Sequence, residues 1–294
     1  MSEAPVRQTA SDSQPSRVLA TRSLIGRHPL IAYFGLAYGL SWCELWIVSG
    51  LHAPAAVAIS LTTLAPTISA LMVTAFAEGR AGLTRLGRRM LMWRVGGFWY
   101  LAALLLVPLA YVAGTLLVSH GLDGFAPPAS PIYWFISSII ATTLILFLGG
   151  PLFEEPGWRG FALPRLQDRF GPLGGTMILG ILWGCWHLPQ YLIPEWAAQN
   201  GGLSVASIAT FLLLVLAFNV IMSWVWNGSR GSLLLAVLAH TGINATQAVI
   251  VEPLFPGLGG NEVGALIGFG GLAVLIVVLT RGNLGLTTTT TQVD

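Results

Sequence analysis

Apolar residues in this chain gather in long runs, separated by short stretches rich in arginine, proline and glycine. A run of about 20 apolar residues is long enough to cross roughly 30 Å of hydrocarbon as a helix, and a helix satisfies its own backbone polar groups where no water can. The pattern predicts eight spans, at 29–50, 54–77, 96–119, 132–153, 173–193, 205–226, 231–251 and 262–280. No internal repeat and no long Pro/Gly/Ser linker divides them. The expected fold is therefore all-α: one polytopic membrane bundle over 28–282, with its polar motif core in 130–250.

Composition agrees and narrows the class. With 54% hydrophobic and 9% charged residues in 294 and a mean hydropathy of +0.74, a soluble fold is excluded; the lipid bilayer is an expected partner and nucleic acid is not. The chain contains no lysine, and its 14 basic residues are all arginine. With both termini on one side, the arginines fall into the tail (Arg7, Arg17, Arg22, Arg27), the loop after the second span (Arg80, Arg85, Arg88, Arg89, Arg94) and the later loops of the same side (Arg159, Arg165, Arg169, Arg230, Arg281). The opposite loops carry Asp123, Glu195, Glu252 and Glu262. Because arginine-rich short loops stay in the cytoplasm, both termini are expected there. An arginine-rich, lysine-free composition suggests a bacterial plasma membrane as the setting.

Residues 1–27 are polar and rich in serine and arginine, too long and polar for an ordinary signal peptide, and read as a disordered cytoplasmic tail; 283–294 reads as a second tail. Cys43 and Cys185 lie in different spans and read as buried thiols rather than a disulfide framework. Arg85, Arg88 and Arg89 stand among Leu86, Met90, Leu91, Met92 and Trp93. That mixture suits either simple topology-setting charge or an interfacial helix that holds anionic headgroups.

The candidate chemistry lies in the later spans. Ionisable groups within a bilayer are costly and point to function, and Glu154, Glu155 and Arg159 fall within six positions in Phe153-Glu-Glu-Pro-Gly-Trp-Arg-Gly-Phe161. Glu155 and Arg159 are four apart, so on a helix they share a face and can pair. His240 and Asn244 have the same spacing, while His187 follows Trp183 by one turn. Two carboxylates, two imidazoles and an amide suit peptide-bond hydrolysis without a covalent intermediate, in which a base or a metal deprotonates water and donors hold the oxyanion. No serine lies in a Gly-x-Ser-x-Gly context, and no His-Glu-x-x-His zinc motif is present. Asn219 belongs to no motif. Glu44, between Trp42 and Trp46, is expected to snorkel to the interface.

Glu-Glu-x-x-x-Arg (Glu154, Glu155, Arg159), an aromatic-x-x-x-His (Trp183, His187) and His-x-x-x-Asn (His240, Asn244), in that order on successive spans, resemble the CPBP family of CAAX-processing and Abi-like bacteriocin-immunity intramembrane endopeptidases, which includes the Ras-converting enzyme. The chain departs from the family in Trp183, where phenylalanine is more usual, and in Pro156, which removes a backbone donor and is expected to kink the helix. The resemblance implies a reaction centre of Glu154, Glu155, Arg159, His187, His240 and Asn244. Glu154 would be the base that activates water, assisted by His187. His240 and Asn244 would hold the oxyanion or the water, and Glu155 with Arg159 would brace the site. It also implies Zn2+ or another divalent ion on Glu154, His187 and His240, with a metal-free, glutamate-activated water as the alternative.

Depth adds a condition. Entering the membrane near residue 231, His240 lies nine residues in, about 14 Å deep at 1.5 Å per residue. Glu154 reaches it only if the fourth helix continues past the glutamates toward Leu163 or Arg169. Both glutamates would then face a water-filled cavity open to the cytoplasm, with Glu154 accessible to solvent. The expected partner is a membrane-associated protein or peptide substrate. A non-catalytic immunity or scaffold protein is the competing class; a transporter would show related halves, whereas here the polar residues are confined to spans four to seven.

Overall fold

The structure is a computed structural model that describes residues 25–51, 54–258 and 262–286, and every regular element among them is helical. Most of both tails (1–24 and 287–294) and Gly259 and Gly260 lie outside the described residues. The helices in chain order are α1 (Pro29–Gly50), α2 (Ala55–Thr62), α3 (Leu64–Met90), α4 (Gly97–Leu101), α5 (Val107–Val118), α6 (Pro131–Leu148), α7 (Pro151–Gly157), α8 (Leu163–Phe170), α9 (Pro172–Trp186), α10 (Pro194–Gln199), α11 (Val205–Gly228), α12 (Leu233–Thr246), α13 (Glu252–Leu254) and α14 (Glu262–Leu279). Single π-turns join α4 to α5, α7 to α8 and α12 to α13.

Among the described residues, seven stretches are long and apolar enough to span: Pro29–Ile47, Val57–Met90, Gly97–Val118, Pro131–Phe170, Val205–Gly228, Leu233–Leu254 and Glu262–Leu279. Seven of the eight expected spans thus correspond to full-length helices. The eighth, expected at 173–193, is shorter: α9 has 15 residues, about 22 Å at the α-helical rise. It stops because the His187 N–H turns back to the Gly184 carbonyl, tightening the last turn, and Pro189 then has no N–H to continue the ladder. A 3₁₀ turn, Leu188–Leu192, follows.

The bundle keeps its apolar side chains on the outside as well as the inside, as lipid requires. On α6, Phe135, Ile136, Ile139, Ile140, Leu144 and Phe147 are all more than half exposed. Cys43 is exposed on α1 and Cys185 half-buried, both as free thiols. The expectation that both are buried fails for Cys43, which lies on the same outward face as Trp46 and Ile47. Small residues let backbones close up where helices must touch. A side chain at Gly114 would collide with the Gly264 carbonyl, and one at Gly268 with the Ala110 carbonyl, so α5 and α14 meet nearly backbone to backbone.

Three hydrogen bonds tie α1 to α9 beneath the polar centre. Tyr38 donates to the Leu182 carbonyl, Trp42 Nε1 to the Trp186 carbonyl (3.1 Å), and Trp186 Nε1 to Ser41 Oγ (2.8 Å). Packing also runs past the boundary drawn at 282: Leu284 is fully buried and its carbonyl accepts from Asn227 Nδ2 at 3.1 Å.

Candidate functional site

The glutamate pair sits just after a break in a long helix. α6 ends at Leu148, Gly150 adopts a φ of +101°, and the chain restarts at Pro151 and stays helical through the π-turn Trp158–Ala162 to Phe170. Continuation past the glutamates therefore occurs, with the bend before them. Gly150 is needed twice: its φ lies where other residues are strained, and a side chain there would strike Glu154 Oε1. Pro156 leaves the Leu152 carbonyl without its usual donor, and the next turn widens into the π-turn. Thr67 on α3 holds this segment by donating to the Phe153 carbonyl.

The two glutamates are fixed differently. Glu154 Oε2 accepts two indole N–H groups, from Trp158 Nε1 at 3.1 Å and Trp183 Nε1 at 3.0 Å; its Oε1 faces Gly150 and accepts nothing from the described residues. Glu155 Oε1 accepts from Arg159 Nη1 at 3.0 Å and His240 Nδ1 at 2.8 Å, while its Oε2 is sealed away without a partner. Arg159, fully buried, also donates from Nη2 to Asn219 Oδ1 (2.8 Å) and lies 4.3 Å over the Trp183 ring. Asn219 Nδ2 in turn donates to the Thr176 carbonyl at 2.5 Å.

Both imidazoles are oriented through Nδ1. His187 Nδ1 is 2.9 Å from the Trp183 carbonyl, which only accepts, so Nδ1 carries the proton and Nε2 is left for the site. The same reasoning applied to the Glu155 carboxylate assigns the Nδ1 proton of His240. Trp183 is the hub: besides bonding Glu154, its ring lies 5.8 Å from His187 and 5.4 Å from His240. His187 falls within range of the charges of Glu154 and His240. Asn244, one turn beyond His240, is half-buried, and its side chain makes no hydrogen bond to the described residues. Glu44 is half-buried on α1, bonded to none of the six.

One expectation needs correction. Glu154 is 4% exposed and Glu155 is 0% exposed, so neither faces an open water-filled cavity. A cavity among the described residues lies elsewhere, lined by Arg85, Arg89 and Arg165. The cause is aromatic closure: Trp158, Trp183 and Trp186, none more than 2% exposed, wall in the carboxylates. Among the described residues no three His, Cys, Asp or Glu side chains meet as a metal-holding group, and the bonded oxygens of both carboxylates are occupied by N–H donors.

Tyr33 escaped sequence reasoning. It is fully buried, its hydroxyl lies beside Gly157 without a hydrogen-bond partner, and it is within range of the charges of Glu154, Glu155 and Arg159. A tyrosine in an apolar first span, far from the motif core, carries no signal of this. The indole N–H of Trp183 was equally hidden, since its spacing to His187 says nothing about Glu154.

An apolar helical bundle that encloses two carboxylates, two imidazoles and a guanidinium defines an integral membrane protein with a buried polar cluster inside its spans. The family model described as Type II CAAX prenyl endopeptidase Rce1-like matches residues 135–246, which contain all six site residues. CAAX prenyl protease 2 of Methanococcus maripaludis is 30% identical over 115 residues, 39% of this chain and 42% of that protein. Over this segment the chain is similar to the Rce1-like CAAX endopeptidases. It aligns with about two-fifths of the length of that curated relative.

Proposed function

We propose that the protein is an intramembrane endopeptidase that hydrolyses a peptide bond of a membrane-associated protein or peptide, with Glu154 as the base. The observation that carries this reading is the asymmetry of Glu154: two indoles hold one oxygen, while the other accepts nothing from the described residues. Glu154 Oε1 takes a proton from water as the hydroxide adds to the substrate carbonyl carbon, and His187 Nε2 helps to align that water. The Asn244 side-chain amide holds the tetrahedral oxyanion, and His240 Nε2 shares in holding the attacking water. As the C–N bond breaks, Glu154 returns its proton to the amine. Glu155 and Arg159 act by positioning His240 and the α7 turn.

The arginine asymmetry supports a cytoplasmic position for the basic end of the bundle, and the lysine-free composition supports a bacterial plasma membrane. The relative's name speaks of a CAAX prenyl substrate, so a prenylated CAAX peptide belongs in the first substrate panel. The test is cleavage in liposomes by the wild-type protein, Glu154→Ala and His187→Ala, with carboxyl termini of the membrane proteome compared between active and inactive enzyme. Both changes should abolish cleavage. Termini or a cellular phenotype unaffected by both would replace catalysis with a passive immunity or scaffold role.

A further inference from the structure

A second polar feature lies away from Glu154. A cavity of about 420 Å³ is lined by residues of α3, α8, α11 and the chain around Gly231 and Leu286. Pockets that take small ligands run from roughly 300 to 1,000 Å³. Its charged walls are Arg85, Arg89 and Arg165, with Glu78 and Asp168 opposing them. Glu78 is shared between Arg85 and Arg165. Arg89 has no carboxylate partner among the described residues; its guanidinium lies 5.0 Å over the Trp226 ring, and Nη1 fits where Gly231 lacks a side chain.

Beside it stands an unmet acceptor. Asn227 is 4% exposed and lines the same cavity; its Nδ2 is spent on the Leu284 carbonyl, and its Oδ1 has no partner. A ligand that offers a phosphate to Arg89 and a hydroxyl donor to Asn227 satisfies both. The surroundings place this mouth at a membrane surface. α3 breaks at Gly79 (φ +65°, ψ −151°), and the segment beyond it leads to Leu91 and Trp93, 77% and 60% exposed, with Arg94 4.8 Å over the Trp93 ring. Arginines beside exposed apolar and aromatic side chains are the arrangement that sits among lipid headgroups.

We propose that this cavity binds the phosphate-bearing headgroup of an anionic phospholipid, with Arg89 on the phosphate and Asn227 on a headgroup hydroxyl. Phosphate chemistry is shared with free inorganic phosphate, so both sources are tested. The full-length protein is purified in detergent, offered phosphatidylglycerol, phosphatidylcholine or inorganic phosphate, and read by native mass spectrometry for retained lipid and by thermal unfolding for stabilisation. Phosphatidylglycerol should be retained and should raise the unfolding temperature, with phosphatidylcholine retained at least tenfold less. Arg89→Gln should cut retention about tenfold, while Arg88→Gln, whose side chain does not line the cavity, should leave it unchanged. If Arg89→Gln does not fold, Arg85→Gln, on a side chain 46% exposed, should lower retention severalfold. Equal effects of the Arg88 and Arg89 changes, or equal retention of the two lipids, would overturn the proposal. Stabilisation by inorganic phosphate matching that by phosphatidylglycerol would overturn it as well.

Discussion

Replacing Arg159 by methionine tests the polar centre most directly, because Arg159 and Glu155 are both fully buried and joined at 3.0 Å. Methionine keeps most of the side-chain volume and removes the charge. Glu155 would then be an anion in the bundle interior with His240 as its remaining donor, and Asn219 would lose the donor to its Oδ1. Removing one partner of a buried ion pair costs about 3–5 kcal/mol, since the other charge stays desolvated. Removing both charges is far milder, and Glu155→Gln combined with Arg159→Met should cost about 1–3 kcal/mol, mostly from the orphaned Asn219. The two sites should therefore couple by about 2 kcal/mol or more. The assay is reversible unfolding of each variant in mixed micelles against a denaturing detergent. An Arg159→Met cost below about 1 kcal/mol, or simple additivity in the double variant, would refute the buried-pair reasoning.

Trp183→Phe keeps the ring against both imidazoles and removes one of the two donors to Glu154. A hydrogen bond to a charged group contributes about 1.5–3 kcal/mol, so cleavage should slow roughly ten- to a hundredfold; an unchanged rate would show that Trp158 suffices. Gly268→Ala pushes a methyl group into the Ala110 carbonyl of α5 and should destabilise the fold by about 1–3 kcal/mol through overpacking, seen as an earlier unfolding midpoint; no shift would count against the close α5–α14 contact. Because the three implied ligands do not meet, cleavage should persist after chelation to substoichiometric zinc. Activity that vanishes with the metal and returns with added zinc would set aside the metal-free reading.

Much of the site was legible because its signals are local or costly. Helical spacing places Glu155 four residues before Arg159, and the pair forms as that spacing allows. The low charge density makes each intramembrane ionisable group conspicuous. Asn219 was not legible: it belongs to no motif, yet it completes the Arg159 network from 60 residues away. Tyr33 was lost for the same reason, and the accessibility expected of Glu154 was wrong because three tryptophans converge from two helices, which no single stretch reveals.

By itself the sequence determined the all-helical membrane class, most span positions and the ionisable residues of the polar centre. The thickness of hydrocarbon sets the length of an apolar run, and 3.6 residues per turn sets which neighbours share a face. Tertiary structure alone decided that α9 stops at Trp186 and that Glu155 rather than Glu154 takes His240. It likewise decided that Glu154 is pinned by indoles and that Arg89 is left without a carboxylate. Those outcomes depend on how helices rotate and approach one another. In lipid, that is settled by close packing and by hydrogen bonds between distant segments, neither of which hydropathy along a chain encodes.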